Sequence, residues 1–420
     1  MHHKRFYGWP LVGLGFIFYG LGIAPAYYSW GFFAPEIIDE LGISRQDIGE
    51  VFGTLTLMLS LTSVLAAITI ERWGLRATVT VGASIAALGW YLVGKADSLF
   101  DLYISYALIG GIGIGLSTLM PAQTLAVFWF RRFRARAIAI IFFGAAIFGA
   151  IVNPIDAIVL ENGGWRTAWV YISAISIFVA VVAAVFLRNR PEDIGQQVDG
   201  ESATEPDADS PAAAVKTSVA NSPGDNFTLR QAITTPHFFI ATFADIANAI
   251  PWRIITAHGR LHLETLGFAP TVAAAILGVR VGMSGVGRLS GSLSDFVRPT
   301  HVMTCALLMS AIGVGGLSFV TSANMAYACV ALMGIGYGAA FTTIPVVFGD
   351  FFGRGAFVGT AGMRVAVTGI AGFFAVSWAG AVADKTGTYS VVLTALAFTC
   401  VAAAVLIYSC RTPRLKNGQR

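Results

Sequence analysis

The sequence predicts an all-α membrane protein in which twelve transmembrane helices form two six-helix bundles, with both termini cytoplasmic. Three observations predict this fold: the composition, the apolar runs and an internal repeat. Of the 420 residues, 56% are hydrophobic and only 12% are charged, and the mean hydropathy is +0.71. Because a soluble domain carries about 25% charged residues, the composition excludes a soluble enzyme and a nucleic-acid-binding module. The net charge of +4 gives no sign of a polyanionic partner.

Twelve apolar runs are long enough to form membrane helices, which need about 20 mostly apolar residues. They fall into two groups of six. The first six are predicted at 10–34, 47–70, 76–95, 101–128, 136–159 and 166–188. The second six are predicted at 237–257, 270–292, 300–320, 324–348, 356–382 and 388–410.

The composition changes sharply between the sixth and seventh runs. Residues 189–229 are rich in Pro, Ser, Asp, Ala and Glu, with no aromatic residue before Phe227. Such a stretch cannot bury enough apolar surface to fold alone. It is interpreted as a flexible linker, and the sequence therefore predicts three parts: an N-terminal six-helix bundle (1–188), a cytoplasmic linker (189–236) and a C-terminal six-helix bundle (237–420).

Lysine and arginine are distributed unevenly between the loops. With the N-terminus placed inside, eighteen of the 27 basic residues lie in inside segments and five lie outside. Cytoplasmic loops carry the excess of Lys and Arg, so both termini are predicted to be cytoplasmic and the chain to span the cell inner (plasma) membrane. The five residues placed outside are Arg45, Lys95, Arg166, Arg260 and Lys385.

The two halves resemble each other at an offset of 223 to 224 residues. The fourth run contains Gly-Ile-Gly-Ile-Gly at 111–115, and the tenth contains Gly-Ile-Gly-Tyr-Gly at 334–338. Glu71 and Asp295, in the loops after the second and eighth runs, are 224 residues apart. A parallel repeat of six helices is an architecture of secondary transporters, whose substrate site lies near the membrane midplane between the halves.

Loop motifs carry a resemblance to the major facilitator superfamily. The segment GSLSD at 291–295 matches the family's loop motif, and AITIERWGLR at 67–76 matches it in weakened form. An acidic residue in such a loop can cap a neighbouring helix and pair with a nearby arginine. We therefore expect an inner gate to be formed by Glu71, Arg72, Asp295 and Arg131.

Further segments resemble the monocarboxylate transporter branch and its bacterial oxalate/formate antiporter relatives. This narrower resemblance implies a secondary transporter that moves small organic anions such as lactate or pyruvate by alternating access. The segments are YGWPLV at 7–12, the aromatic and basic stretch at 128–144, GWR at 164–166, NRPEDIG at 189–195 and GAVADKTGTY at 380–389.

Arginines within the predicted spans are the strongest candidates for binding such an anion. A charge at membrane depth costs at least about 3 kcal/mol, so its presence indicates a function. Arg280 and Arg288 lie eight residues apart in the eighth span, on adjoining faces, and Arg364 begins the eleventh. Guanidinium is permanently charged and binds carboxylates in a bidentate manner. The resemblance points to an arginine of the eighth span, and both Arg280 and Arg288 stay candidates.

One helical stripe of the seventh span carries Asp245, Asn248 and Trp252. Asp245 is the only carboxylate well inside the second half's spans, so it is the candidate for a proton carrier. The resemblance implies a lysine in the first span and an aspartate one turn before the span-eight arginine, and this chain has neither. Proton symport and exchange of one anion for another therefore both remain open.

Uncharged residues are expected to complete the cavity lining. They are Tyr27, Tyr28, Ser117, Gln123, Phe143 and Tyr337, with Asn248 from the charged stripe. The expected partners are a small organic anion, the lipid bilayer and, in the symport alternative, a proton, and the protein is expected to be a monomer.

Other functional classes have less support in the sequence. No Cys-x-x-Cys motif, Cys/His cluster, nucleophile–base pair or Walker motif is present, so we expect no metal, no cofactor and no enzymatic activity. An oxalate/formate-type exchanger of dicarboxylates is the nearest alternative, because two arginines suit two carboxylates. A transporter-like sensor is a more distant one.

Overall fold

The computed structural model describes residues 6–130, 133–200, 227–410 and 413, and every long element within these ranges is a helix. The all-α prediction is confirmed. The first half contains α1 (Gly8–Phe32), α2 (Ala34–Leu41), α3 (Arg45–Val93), α4 (Leu99–Trp129) and α5 (Arg134–Phe186). The second half contains α6 (Leu229–Ile233), α7 (Pro236–Thr265), α8 (Pro270–Leu289), α9 (Pro299–Leu317), α10 (Ala323–Thr386) and α11 (Ser390–Ser409).

Glycines interrupt three of the long helices. Gly74 in α3, Gly164 in α5 and Gly353 in α10 have φ angles of 84°, 75° and 66°, a conformation that glycine adopts readily because it lacks a β-carbon. Each break divides its helix into two arms. Ten stretches of the described chain are long and apolar enough to cross a membrane, and one of them, Arg136–Phe186, includes the break at Gly164. The count of twelve spans stays a prediction.

The two glycine triplets of the internal repeat have matching packing roles. A side chain added within 111–115 would collide with both arms of α3, and one added within 334–338 would collide with α8 and α9. Small residues at such positions let helices approach closely in membranes. The neighbouring residues are Met58, Thr62 and Ala86 in the first half, and Ser284, Ala306 and Ser310 in the second.

The face of the molecule where α1 and α7 end is called the distal face here, and the opposite face, where α1 begins and α11 ends, is called the terminal face. At the distal face the start of α3 packs against the end of α10. The backbone amides of Arg45 and Gln46 donate to the Asp384 carboxylate at 3.3 and 3.0 Å. One carboxylate of the second half therefore caps a helix of the first half.

Close backbone contacts join the two halves from the distal face to the middle of the molecule. A β-carbon on Gly31 of α1 would collide with the carbonyl of Thr256 in α7. A β-carbon on Gly278 of α8 would likewise collide with the carbonyl of Ala150 in α5. These glycines let the helices approach each other more closely than a residue with a side chain would allow.

Both described ends of the predicted linker pack against the bundles. Asn189 Oδ1 accepts a hydrogen bond from the amide of Arg76 at 2.9 Å, and Gln196 Oε1 accepts one from the amide of Tyr7 at 2.9 Å. On the other side, Phe227 is buried against the second half. The composition predicts a flexible stretch over 189–229, and in the structure Asn189, Gln196 and Phe227 within it are held by hydrogen bonds and apolar contacts. Residues 201–226 lie outside the described ranges.

Candidate functional site

Arg280 of α8 is buried in the interior of the molecule, with 1% of its surface exposed. Its Nη1 donates to the carbonyl of Trp252 at 3.0 Å, and its Nη2 donates to Thr256 Oγ1 at 3.0 Å. The guanidinium carbon lies 4.2 Å from the centre of the Trp252 ring. Its Nε has no hydrogen-bond partner, and no carboxylate of the described residues forms an ion pair with it. Arg280 is therefore a buried cation held by neutral groups.

Aromatic residues from both halves surround this arginine. The Trp252 and Tyr337 rings stack with centroids 3.9 Å apart and planes 9° apart. Tyr28 of α1 approaches Trp252 edge-on at 6.3 Å, and Tyr27 lies 5.3 Å from Tyr28. The predicted lining residues Tyr27, Tyr28 and Tyr337 are thus brought together around Arg280, although their sequence positions are far apart.

Arg288 connects α8 to the first half of the chain. Its Nη1 donates to the carbonyl of Phe142 in α5, and its guanidinium lies 5.3 Å from the centre of the Phe341 ring. Its Nε has no partner among the described residues. Arg280 therefore bonds to α7, whereas Arg288 bonds to α5. This difference agrees with the predicted placement of the two arginines on adjoining faces of α8.

Asp245 and Arg364 form an ion pair between α7 and α10. Arg364 Nη1 lies 2.7 Å from Asp245 Oδ2, which also accepts a hydrogen bond from Thr368 Oγ1 at 2.9 Å. Both charged side chains are largely buried. One turn further along α7, Asn248 is buried with an unpaired Oδ1. The charge of Arg364 is thus compensated within the protein, in contrast to that of Arg280.

The remaining predicted lining residues lie in α4 and α5. Ser117 is buried and donates to the Gly113 carbonyl of its own helix at 2.8 Å. Gln123 is half-buried. Phe143 packs against Gly285 of α8, where a β-carbon would lie 2.7 Å from the Phe143 ring. The Ser117 hydroxyl is therefore used inside its own helix, and Phe143 contributes to the contact between the halves.

The predicted inner-gate residues lie near the terminal face. Glu71 and Arg72 are exposed beside the break at Gly74. Asp295 ends the 3-10 turn Ser290–Asp295. Arg131 lies outside the described residues.

Two arginines of α7 were not predicted as functional residues. The span predicted at 237–257 is too short, because α7 continues to Thr265. Arg260, predicted to lie outside in a loop, is instead buried in α7 and bonds to Glu36, Glu264 and the Phe32 carbonyl. The spacing of Arg260 and Glu264, four residues apart, is the one sequence signal for a helix there.

Arg253 is the second of these arginines. It lies in α7 next to Trp252, and its Nη1 donates to the Thr368 carbonyl of α10 at 2.9 Å. The sequence places it inside a span but offers no partner or motif that would mark it.

Glu40 of α2 lies at the distal face and is bound by two residues of the first half. Its carboxylate accepts hydrogen bonds from Arg166 Nε at 2.9 Å and from Trp165 Nε1 at 2.6 Å. These bonds hold the pKa of Glu40 below its usual value. No group of three or more potential metal ligands occurs among the described residues, and the four cysteines are free thiols.

Comparison with known proteins agrees with this architecture. The family model described as Major Facilitator Superfamily matches residues 11–358. The chain belongs to the Major Facilitator Superfamily. It is therefore a membrane transporter and not an enzyme, and the superfamily resemblance seen in the sequence is confirmed.

Curated relatives of this superfamily member are similar at low identity. The chain is 27% identical to monocarboxylate transporter 13 of Bos taurus over 376 residues, which cover 88% of this chain and 79% of that protein. It is 24% identical to the MFS-type transporter YhjX of Escherichia coli over 331 residues, covering 78% and 76% of the two chains.

Solved structures share the fold. A bacterial homolog of the human lysosomal transporter Spinster, in an inward-facing and unoccupied conformation, matches with a TM-score of 0.71 and 16% identity, covering 96% of this chain and 95% of that one. The xylose transporter XylE from Escherichia coli, in a partially occluded inward-open conformation, also matches with a TM-score of 0.71, at 14% identity, covering 96% and 97%.

Proposed function

We propose that this transporter moves small organic anions, monocarboxylates such as lactate or pyruvate in the first place, by alternating access, with Arg280 as the carboxylate-binding residue. The observation that carries the proposal is the burial of Arg280 without a carboxylate partner among the described residues, between aromatic residues of both halves.

The energetics of a buried charge support this assignment. A guanidinium removed from water is costly unless an opposite charge meets it. In Arg364 and Arg260 the protein supplies that charge, through Asp245 and Glu36. Among the described residues, the partners of Arg280 are a carbonyl, a hydroxyl and an aromatic ring, and its Nε forms no hydrogen bond. A substrate carboxylate would supply the missing charge, and the monocarboxylate transporters among the relatives favour the same substrate class.

The proposed membrane arrangement follows the charge distribution. Twelve spans cross the cell inner membrane, both termini are cytoplasmic, and the protein acts as a monomer. The distal face is then external. The close contacts there between α1 and α7 and between α3 and α10 support a state that is closed outside and opens toward the cytoplasm. In the opposite state, Glu71, Arg72, Asp295 and Arg131 would close the cytoplasmic side.

Coupling is proposed to involve Asp245. In the present state its charge is neutralised by Arg364. Protonation of Asp245 would release Arg364, which could then bind a second anion or change the contact between α7 and α10. If the protein is instead an anion exchanger of the oxalate/formate type, this pair would stay ionised throughout the cycle.

Uptake in proteoliposomes tests the proposal. We expect Arg280→Gln to lower uptake of labelled lactate and pyruvate about tenfold or more, because a hydrogen bond to a charged group contributes about 1.5–3 kcal/mol. Arg298→Gln, which removes an exposed arginine between α8 and α9, is the control and should transport normally. Undiminished uptake in Arg280→Gln would contradict the proposed anion site.

A pH gradient distinguishes the coupling alternatives. Symport predicts that an inward proton gradient stimulates uptake and that Asp245→Asn abolishes the stimulation. Exchange predicts a requirement for an internal counter-anion and no response to the gradient.

A further inference from the structure

Arg253 is a guanidinium in the interior of the molecule to which the proposed function assigns no role. It lies on α7, one residue beyond Trp252, and is only partly buried. Its Nη1 donates to the Thr368 carbonyl at 2.9 Å. The group lies directly over the backbone of Gly372, where a β-carbon would collide with Nη1. Gly372 therefore provides the space that Arg253 occupies.

Arg253 and Arg280 both lie beside the turn of α7 that begins at Trp252. Arg280 bonds to Trp252 and Thr256, on one side of the α7 turn that carries Arg253. Trp252, whose carbonyl accepts a hydrogen bond from Arg280, directly precedes Arg253, and Tyr28 approaches the Trp252 ring edge-on at 6.3 Å. The turn of α7 that carries Arg253 therefore also holds Arg280 of α8, so two permanent positive charges come together beside this turn.

The described residues do not neutralise Arg253. Asp245 on the same helix is already paired with Arg364 and Thr368. The carboxylate of Glu50, on the first arm of α3, accepts hydrogen bonds from Gln46, Tyr103 and Ser377. No ion pair of the described chain includes Arg253. The guanidiniums of Arg253 and Arg280 thus both lack an opposite charge among the described residues.

We infer that Arg253 is a specificity-determining residue that binds a second anionic group of the substrate, so that the transporter accepts small dicarboxylates in addition to monocarboxylates. The inference rests on the proposed function, because it takes Arg280 as the site of the first carboxylate. A monocarboxylate on Arg280 would leave Arg253 without a counter-charge. A dicarboxylate would neutralise both guanidiniums, each through charge-assisted hydrogen bonds.

Ligand-induced thermal stabilisation of the purified full-length protein tests this inference, with lactate, malonate and succinate as probes. The measured quantity is the ratio of dicarboxylate affinity to lactate affinity. We expect Arg253→Gln to lower this ratio about tenfold or more, the effect of one charge-assisted hydrogen bond. We expect Arg253→Lys, which keeps the charge but loses the planar donor array, to lower it less.

Gly372→Ala provides an independent test that keeps every charge. Its methyl group would displace the Arg253 guanidinium, so the affinity ratio should fall as in Arg253→Gln. Gly362→Ala is the matched control on the same helix, because a β-carbon there has no atom within 4 Å, and it should leave the ratio unchanged.

The outcomes separate this inference from the proposed function. If Arg280→Gln leaves the binding of all three anions intact, the proposed function fails. If Arg280→Gln abolishes binding but Arg253→Gln and Gly372→Ala weaken lactate and dicarboxylates equally or not at all, only the specificity role of Arg253 is overturned.

Discussion

Arg260 in the second half of the chain binds Glu36 in the first half, with 2.6 Å between Arg260 Nη2 and Glu36 Oε1. The same guanidinium also lies 2.7 Å, through Nε, from Glu264 on its own helix. It bonds to the Phe32 carbonyl as well, at the end of α1. A single arginine therefore links α1, α2 and α7. The contact between the two halves at the distal face, called the distal closure here, depends on this electrostatic contact as well as on close helix packing.

Glu36→Gln is expected to loosen the distal closure. Loss of a charge-assisted hydrogen bond costs about 1.5–3 kcal/mol, and here the loss falls on a contact between the two halves of the chain. The reporter is Val376→Cys, because Val376 of α10 is buried where that helix packs against α3. The background protein has its four cysteines replaced by alanine. Labelling by a membrane-impermeant maleimide should become several-fold faster.

Glu264→Gln is the matched control for this prediction. It removes a carboxylate from the same arginine, but the contact it breaks lies within α7. Equal labelling rates in the two variants would show that the Arg260–Glu36 pair does not hold the halves together.

Gly31→Ala should disturb the same closure sterically. A β-carbon at this position would collide with the Thr256 carbonyl, so α1 and α7 would have to separate. We expect a lower melting temperature and faster labelling of the Val376→Cys reporter. Gly13→Ala on the same helix has no atom within 4 Å of the new β-carbon and should behave as the parent protein. Unchanged labelling in Gly31→Ala would contradict the close approach of α1 and α7.

The Asp245–Arg364 pair should show strong energetic coupling. Removing one partner of a buried ion pair costs about 3–5 kcal/mol, because the other charge is left without compensation. Asp245→Asn and Arg364→Gln should therefore each be clearly destabilised, and the double variant should lose much less stability than the sum of the two single losses. Thr368→Val removes only the hydroxyl bond to Asp245 and should cost about 1 kcal/mol. Additive losses in a thermal-unfolding cycle would argue against the pair.

Glu40 should make stability depend on pH at the acid end. Its pKa is lowered by hydrogen bonds from Arg166 and Trp165, so the ionised form favours the folded state. This contribution is present above the unfolded-state pKa of about 4.3 and is lost as pH falls through the lower pKa of the folded state. Because the side chain is half-exposed, we expect less than about 1 kcal/mol.

The measurement is the melting temperature of Glu40→Gln and of the parent protein between pH 3 and pH 7. The difference between them should be present at pH 7 and should shrink toward acid pH. Asp39→Asn, which changes the neighbouring exposed carboxylate, is the control. A constant difference across the whole range would contradict the assigned role of Glu40.

Much of the fold could be predicted from the sequence, because hydropathy is a local property and the repeat is visible in glycine spacing. The end of α7 could not, since its last two turns contain His258, Arg260, His262 and Glu264, which lower the local hydropathy. Those side chains are tolerated because partners from distant segments pair with them or cover them.

The candidate site was predictable in its residue types but not in its pairing. Charged residues inside apolar runs marked Arg280, Arg288, Arg364 and Asp245. Which arginine is neutralised by Asp245 depends on the packing of α7 against α10, across 119 residues of sequence. Helical spacing within one span carries no information about such a contact. The same reason explains why Arg253 had no distinguishing signal.

The Glu264 contact of Arg260 has a consequence for the speed of the proposed alternating-access cycle. In that cycle the distal face separates and Glu36 moves away, and Arg260 keeps an anionic neighbour on its own helix. The proposed transition therefore need not pass through an uncompensated cation in a poorly solvated gap, which would raise its activation barrier. Glu264 would let the contact between the halves be firm at rest and still reversible on the timescale of turnover.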